Sequence, residues 1–284
     1  MSNKYPLFYL FSLLLLTLSA AGSNDKNTLG AKSGAMGGTS VTNADAFSVF
    51  ANQAALARVA SLSAAIYGES RFLVPDLNLY GLGVAIPTAK GGSFGLGLNY
   101  FGNSLYNEKQ LRLGYGRVLF EKLAIGIELD ALSISMSDYG NKTAFTFGIG
   151  LLYSFNETLS VGAHIYNPTR QQITDNSSDK IPTVMKLGLA YTPSSKTTLS
   201  VETEKNLDRP FMIKAGIEYR VIDKLYLRGG ISTQPALSSF GIGLNLGALK
   251  IDVAGSIHPS LGYTPMVSVV YSGKKRATQT VESK

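Results

Sequence analysis

Ser93-Phe94-Gly95-Leu96-Gly97-Leu98-Asn99-Tyr100 decides the fold. Successive side chains of a strand point to opposite faces, so Phe94, Leu96, Leu98 and Tyr100 share one face and Ser93, Gly95, Gly97 and Asn99 the other. The arrangement returns in Phe145-Thr146-Phe147-Gly148-Ile149-Gly150-Leu151 and in Phe240-Gly241-Ile242-Gly243-Leu244-Asn245-Leu246. One face is always aliphatic or aromatic; the other is glycine, small or polar. From Ala60 onward the period is two rather than 3.6. Fourteen such segments follow: about 60–67, 77–87, 92–101, 108–119, 122–135, 143–155, 158–166, 183–192, 196–205, 211–221, 224–232, 237–246, 248–258 and 263–272. Most have the length that a tilted strand needs to cross a bilayer, about 9–11 residues.

A soluble sandwich also alternates, but it keeps one packed apolar face inside. Here the face opposite the long apolar side chains carries Arg112, Lys186, Lys214, Arg220, Arg228 and Lys250 with Glu128, Asp130, Glu202, Glu204, Glu218 and Asp252. Twelve ionisable groups cannot form a sandwich core. Connections also sort into two classes. Those after the even segments are tight, as at Lys90-Gly91, Phe120-Glu121, Asn156-Glu157 and Ile222-Asp223; those after the odd segments are mostly longer, up to 167–182. Prolines fall at segment ends or in loops, where a missing ladder donor costs least. Short turns at one end over an even strand count describe a bacterial outer-membrane barrel. The expected fold class is all-β: a 14-stranded antiparallel transmembrane β-barrel with a short N-terminal helical hatch.

Composition narrows the function. The 284 residues include 30 glycines and 28 tyrosines and phenylalanines, with 45% hydrophobic but only 16% charged residues. Such content excludes disorder. The absence of cysteine removes thiol catalysis, iron–sulfur and thiolate–zinc sites and disulfides, and two histidines make a His-rich metal site a poor fit. Residues 1–22 read as a signal peptide: Lys4, the apolar run Leu7 to Leu18, then Ser19-Ala20-Ala21-Gly22. Twelve apolar residues fall short of the about 20 that span a bilayer as a helix. Lys274-Lys275-Arg276 opens a basic tail, and no aromatic-interleaved basic stripe indicates nucleic acid. The expected organisation is a signal at 1–22, a hatch at 23–58, a barrel at 59–273 and a periplasmic tail at 274–284, with both ends periplasmic.

The lumen charges suggest neutralisation rather than chemistry. Glu202 and Glu204 lie two apart on one strand beside Lys186 and Lys214, an arrangement in which ion pairing is the simpler reading than a paired acid. Six cations against six anions leave no single-sign field to steer charged solutes. Gly95-x-Gly97 lacks the following helix of a dinucleotide fingerprint. His164 and His258 face inward near segment ends, as lumen or rim groups. No nucleophile, base and orienter come together, so neither an enzyme nor a cofactor is expected.

Ahead of the barrel, Asp45 to Leu56 reads as a helix with Ala46, Phe47, Val49, Phe50, Ala54 and Leu56 as its apolar stripe and Thr42 or Asn43 as its cap. Folding into the barrel as a plug and docking on the rim as a periplasmic arm both fit this pattern. Residues 29–57 resemble the N-terminal hatch of the long-chain fatty-acid channel (FadL) superfamily, in particular its PorV/PorQ-like branch in Bacteroidota, associated with type IX secretion. Gly30, Met36, Gly37 and Gly38 fall on that hatch's glycine motif, and Asp45, Asn52, Gln53 and Ala54 on its D-A…N-P-A segment. His258-Pro259-Ser260-Leu261-Gly262-Tyr263-Thr264-Pro265 and Leu225 to Ser232 resemble the same branch. Gln53 and Ala55 depart from it, standing where the superfamily commonly has proline and glycine. Fourteen strands with a hatch of about 30 residues suggest a blocked lumen, in a barrel set in outer-membrane lipid. Its expected role is as the protein partner of a secretion or assembly machine; the alternative is a channel for a hydrophobic ligand that leaves sideways past the hatch.

Overall fold

A computed structural model describes residues 28–88, 92–137, 140–172 and 181–274. Fourteen strands account for most of them: β1 Ser63–Ser70, β2 Asn78–Pro87, β3 Gly92–Gly102, β4 Tyr106–Phe120, β5 Leu123–Met136, β6 Gly140–Ser154 and β7 Leu159–Tyr166, then β8 Val184–Ser194, β9 Thr197–Asn206, β10 Met212–Ile222, β11 Leu225–Thr233, β12 Ala236–Asn245, β13 Leu249–His258 and β14 Gly262–Ser272. Each pairs antiparallel with its sequence neighbours, and β1 closes on β14 with Ile66 opposite Val269. Closure leaves no strand edge to face lipid.

Every segment with period two forms a strand, and the ends move by at most about three residues. The first shifts most. Val59 donates its backbone N–H to Leu56 O and so still belongs to the preceding turn, which delays β1 to Ser63. Pro193 falls just inside β8 rather than beyond it, where the register with β9 slips between Tyr191 and Ser194.

The outward face is an apolar belt. Phe145 is 71% exposed, Leu129 62% and Val253 57%, values that only a lipid environment makes tolerable over a whole wall. No helix among the described residues is long and apolar enough to cross a membrane; the strands cross it. The turns joining β4 to β5, β8 to β9 and β10 to β11 take two residues each, and β1 starts and β14 ends at that same rim. The opposite rim carries the longer connections, 71–77 and 167–183. The signal segment 1–22, the tail beyond Lys274, the turn 89–91 and residues 173–180 of the longest loop lie outside the described residues.

The hatch differs from a single helix. Its regular parts are α1 Ala31–Ala35, α2 Ser48–Ala51 and a 3-10 segment Gln53–Arg58. Asn52 breaks the expected helix because its backbone is extended (φ −160, ψ 108), while its side chain donates to Val41 O and Leu151 O and accepts from Ala54 N. Neither Thr42 nor Asn43 caps α2. Phe47 takes the N-cap position, and the lead-in is tied by Asp45 Oδ1 accepting from Phe47 N and by Ser48 Oγ donating to Asn43 O.

Candidate functional site: the seat of the hatch

The glycines that sequence alternation assigns to the inner face line the surface on which the hatch lies. A Cβ at Gly83 would stand 2.6 Å from Ala46 O, at Gly97 2.8 Å from Phe50 Cζ and at Gly162 2.6 Å from Val41 O. At Gly126 it would collide with Ala54 N and Gln53 C, and at Gly230 with Gly37 N and the Met36 backbone. Met36 also packs on Gly216 and Ala35 on Gly241. The hatch thus makes a circuit of the lumen: α1 lies against β11–β14, residues 36–41 against β7–β11, and α2 with the 3-10 segment against β2–β6. Met36, Val49, Phe50, Ala54, Ala55 and Leu56 are buried. The positive φ of Gly37 (71°) and Gly38 (88°) turns the chain away from α1, a conformation side chains other than glycine rarely adopt.

Between the glycines, the lumen charges form three clusters along the strand register. The first joins β4, β5 and β7. Arg112 Nη1 is 3.7 Å from Glu128 Oε2, its Nε is 3.6 Å from Asp130 Oδ2, and His164 Nε2 is 3.3 Å from Glu128 Oε1. Asp130 also accepts from Gln110 Nε2 and Tyr166 OH, each at 2.5 Å. The guanidinium lies 5.2 Å from the Tyr166 ring centroid and 5.5 Å from that of Phe50. Two contacts reach the hatch: Arg112 Nη1 donates to Phe50 O (3.1 Å), and Gln53 Nε2 donates to Glu128. Burial removes these charges from water, so only mutual pairing makes them tolerable.

The second cluster joins β8, β9 and β10. Lys214 Nζ lies 3.1 Å from Glu202 Oε1 and 2.6 Å from Glu204 Oε2, and Lys186 Nζ 3.8 Å from Glu204. Here the wall holds the backbone of the hatch. Glu202 Oε2 accepts from both Ser40 N (2.7 Å) and Val41 N (2.8 Å), Lys214 Nζ donates to Gly38 O (3.4 Å), and Lys186 Nζ donates to Thr28 Oγ1 (2.9 Å). A carboxylate that accepts two backbone N–H groups makes charge-assisted bonds, stronger than neutral ones.

The third cluster, on β10, β11 and β13, borders open space. Arg228 bonds Glu218 Oε2 at 2.6 Å and Asp252 Oδ1 at 2.5 Å, and Lys32 of the hatch lies 3.4 Å from Glu218 Oε1. A polar hollow of about 430 Å³ begins here on the short-turn side of the hatch, bordered also by Asp45, Arg58 and Lys250. Burial holds the Asp45 carboxyl above the ordinary carboxylate range, with the Lys32 charge pulling the other way.

Two of the twelve lumen charges stand apart. Arg220 meets the exposed Asp223 in the turn at 3.7 Å, and Lys250 is exposed at the same rim. His258 accepts from Ser260 N and Leu261 N at the far rim and takes no part in the seat. Gln110, Tyr166 and Lys32 complete the clusters without having been singled out in the sequence. Gln110 and Tyr166 share the inward parity of Arg112 and His164, so alternation does mark them. Lys32 carries no such signal. The described part of the hatch begins in the half of the lumen at the long-loop rim, Leu29 lying against Gly81 near the start of β2, and runs to Arg58, which donates to Glu121 O in the β4–β5 turn. No group of three or more His, Asp or Glu among the described residues could hold a metal ion.

A closed 14-stranded barrel with a short segment seated in its lumen can be compared with solved structures. The CymD monoaromatic hydrocarbon channel matches at a TM-score of 0.68 and 13% identity, covering 88% of this chain and 99% of that one. The P. putida toluene transporter TodX matches at 0.66 and 13%, covering 89% and 100%. The fold is that of the FadL-type channels. A Pseudomonas aeruginosa FadL homologue matches at 0.62 with 12% identity, covering 86% of this chain and 98% of that one. At such identities the FadL-type likeness is one of fold. Neither a family model nor a curated protein matches the chain.

Proposed function

We propose that the chain is an outer-membrane channel for hydrophobic small molecules, closed by its own N-terminal segment. One observation carries the reading: between the charge clusters, the inward positions on which the hatch lies are glycine, so much of the lumen is filled by a separable segment and not by the barrel's own side chains. Small barrels without a passage fill their interior with wall side chains. A wall of Gly83, Gly97, Gly126, Gly216 and Gly230 encloses free space once the segment withdraws. The likeness in fold to the CymD monoaromatic hydrocarbon channel and the toluene transporter TodX supports the same reading. The short-turn rim then faces the periplasm.

A second reading makes the barrel a static partner of an outer-membrane secretion or assembly machine, and the full burial of Asn52, Gln53 and Ala54 favours it. A lock separates the two. Gly241 and Ala35 face each other so closely that a Cβ at Gly241 would lie 2.6 Å from Ala35 Cβ. Ala35→Cys with Gly241→Cys therefore places two thiols within bridging reach once the strand yields slightly, and the chain has no native cysteine to interfere. A channel loses uptake of toluene or a long-chain fatty acid into proteoliposomes on oxidation and regains it on reduction. Uptake that is equal in both states, with co-purifying outer-membrane proteins retained, replaces the channel by the partner reading.

A further inference from the structure

On the outside of the barrel, one row of side chains breaks the apolar belt. Strand register sets Tyr80 opposite Tyr100, Tyr100 opposite Lys109, Lys109 opposite Ser133 and Ser133 opposite Thr143, so all five stand at one height across β2–β6. Tyr80 and Lys109 are exposed, and Thr143 Oγ1 lies 3.3 Å from Ser133 Oγ. Toward the midplane the next row is Leu82, Leu98, Leu111 and Ala131. Because Ala131 and Ser133 are short beside Leu98, Tyr100 and Leu111, the wall is hollowed there. The depression holds about 590 Å³, within the roughly 300–1,000 Å³ common for small-molecule sites, and its lining is mostly apolar.

The charge at the head of this hollow is unusual for its place. Every acidic residue in the strands faces the lumen. Outward cations number three: Lys109, Arg117 near the short-turn rim, and Lys205, whose Nζ is taken by Arg209 O. Lys109 has no side-chain partner among the described residues and stands where the aromatic and hydroxyl side chains mark the membrane boundary. An apolar trough that runs toward the midplane, headed by a free cation and two hydroxyls, matches the chemistry of one occupant: a lipid with anionic phosphate. We infer that this hollow is a specific lipid-binding site of the leaflet at the long-loop rim, with the acyl chain over Ala131 and the phosphate on Lys109. Lipid already covers this face in a membrane, and the inference does not depend on what the lumen transports.

Native mass spectrometry of the full chain, delipidated and then mixed with equal phosphatidylglycerol and phosphatidylcholine, tests the site. The expected result is preferential retention of one phosphatidylglycerol. Lys109→Gln lowers that retention about fivefold, the factor expected on removing one basic side chain from an anionic lipid surface, and Arg117→Gln does not. Ala131→Leu fills the trough, leaves Lys109 in place and also lowers retention. A wild type that keeps both lipids equally, a Lys109→Gln barrel indistinguishable from it, or an unchanged Ala131→Leu barrel overturns the inference.

Discussion

The two halves of the hatch are held differently. Residues 28–43 lie on wall glycines at Gly216, Gly230 and Gly241 and meet in addition a set of formal charges: Lys186, Glu202, Lys214 and Glu218 reach Thr28, Gly38, Ser40, Val41 and Lys32. Residues 46–58 meet wall glycines with Val49, Phe50 and Leu56; among the described residues Arg112 and Glu128 add charged contacts from the wall, and Arg58 donates to Glu121 O. Water can replace a hydrogen bond to a backbone group, at a net difference of about 1.5–3 kcal/mol where one partner is charged, but it cannot replace packed apolar contact. Both halves border the hollow, the first at Lys32 and Asn43 and the second at Phe47 and Arg58. The difference teaches where opening begins: the charged half is the latch, and the packed half is the wedge.

The comparison breaks most visibly at the glycines. Gly126→Leu drives a side chain into the Ala54 and Gln53 backbone, and Gly230→Leu into Gly37 and Met36. Overpacking typically costs about 1–3 kcal/mol, and a backbone contact cannot relax by a rotamer change. If the packed half is the wedge, Gly126→Leu converts a silent barrel into a conducting one in planar bilayers. Gly230→Leu then yields only intermittent openings, because the second half still blocks the lumen. Equal conductance from the two variants erases the distinction.

A smaller effect sharpens the latch. Glu202→Gln leaves Lys214 buried with only Glu204 and weakens both bonds to Ser40 and Val41. Breaking a buried pair costs about 3–5 kcal/mol, and the remaining Glu204 places this substitution at the lower end. Glu218→Gln leaves Arg228 with Asp252 and releases a half-exposed Lys32; because the Glu218–Arg228 pair is itself largely buried, its cost is about 1–3 kcal/mol, but neither partner touches Ser40 or Val41. Hydrogen exchange at Ser40 and Val41 is the measurement. Glu202→Gln should accelerate it by orders of magnitude and Glu218→Gln by less than about tenfold. The amide of Ala54, whose acceptor is Asn52 Oδ1, should stay slow in both.

The barrel was legible because a strand's inside and outside are written into alternate residues, and because lipid on one face and a plugged lumen on the other keep that contrast sharp along all fourteen strands. Arg112 with Asp130, Lys214 with Glu202 and Arg228 with Glu218 are direct cross-strand partners, so inward parity already placed them near one another. The hatch was less legible, since long-range contacts shape it. The one local signal in Phe50-Ala51-Asn52-Gln53 is Asn52, a favoured cap residue whose Oδ1 accepts from Ala54 N, but it is the claim of Val41 O and Leu151 O on its amide that holds the break there. Propensity did not favour α1, a helix of five residues that holds Gly34, which costs about 1 kcal/mol relative to alanine inside a helix, and is flanked by Gly30, Gly37 and Gly38. The glycines of the wall were visible, but which part of the hatch each one admits is decided only by the closed barrel.

The smallest expected effect lies at the joint between the halves. Asp45 accepts the Phe47 amide at 2.8 Å just where the latch ends and the wedge begins, and its carboxyl is held above its ordinary value, chiefly by desolvation and secondarily by Asp252, against Lys32 and Lys250. A carboxyl whose pKa is raised on folding binds its proton more tightly in the folded state. The ionised form therefore weakens the seat at neutral pH, and stability rises as pH falls through the folded value. Asp45→Asn keeps an oxygen for Phe47 N and removes the charge. It should stabilise the seated hatch slightly at pH 7 and make no difference once the wild-type carboxyl is protonated. The readout is the pH dependence of exchange at the Phe47 amide in both proteins. The two curves should converge on the acid side; divergence there would mean that Asp45 is stabilised as the anion, through Lys32, and that the latch extends one step further into the wedge.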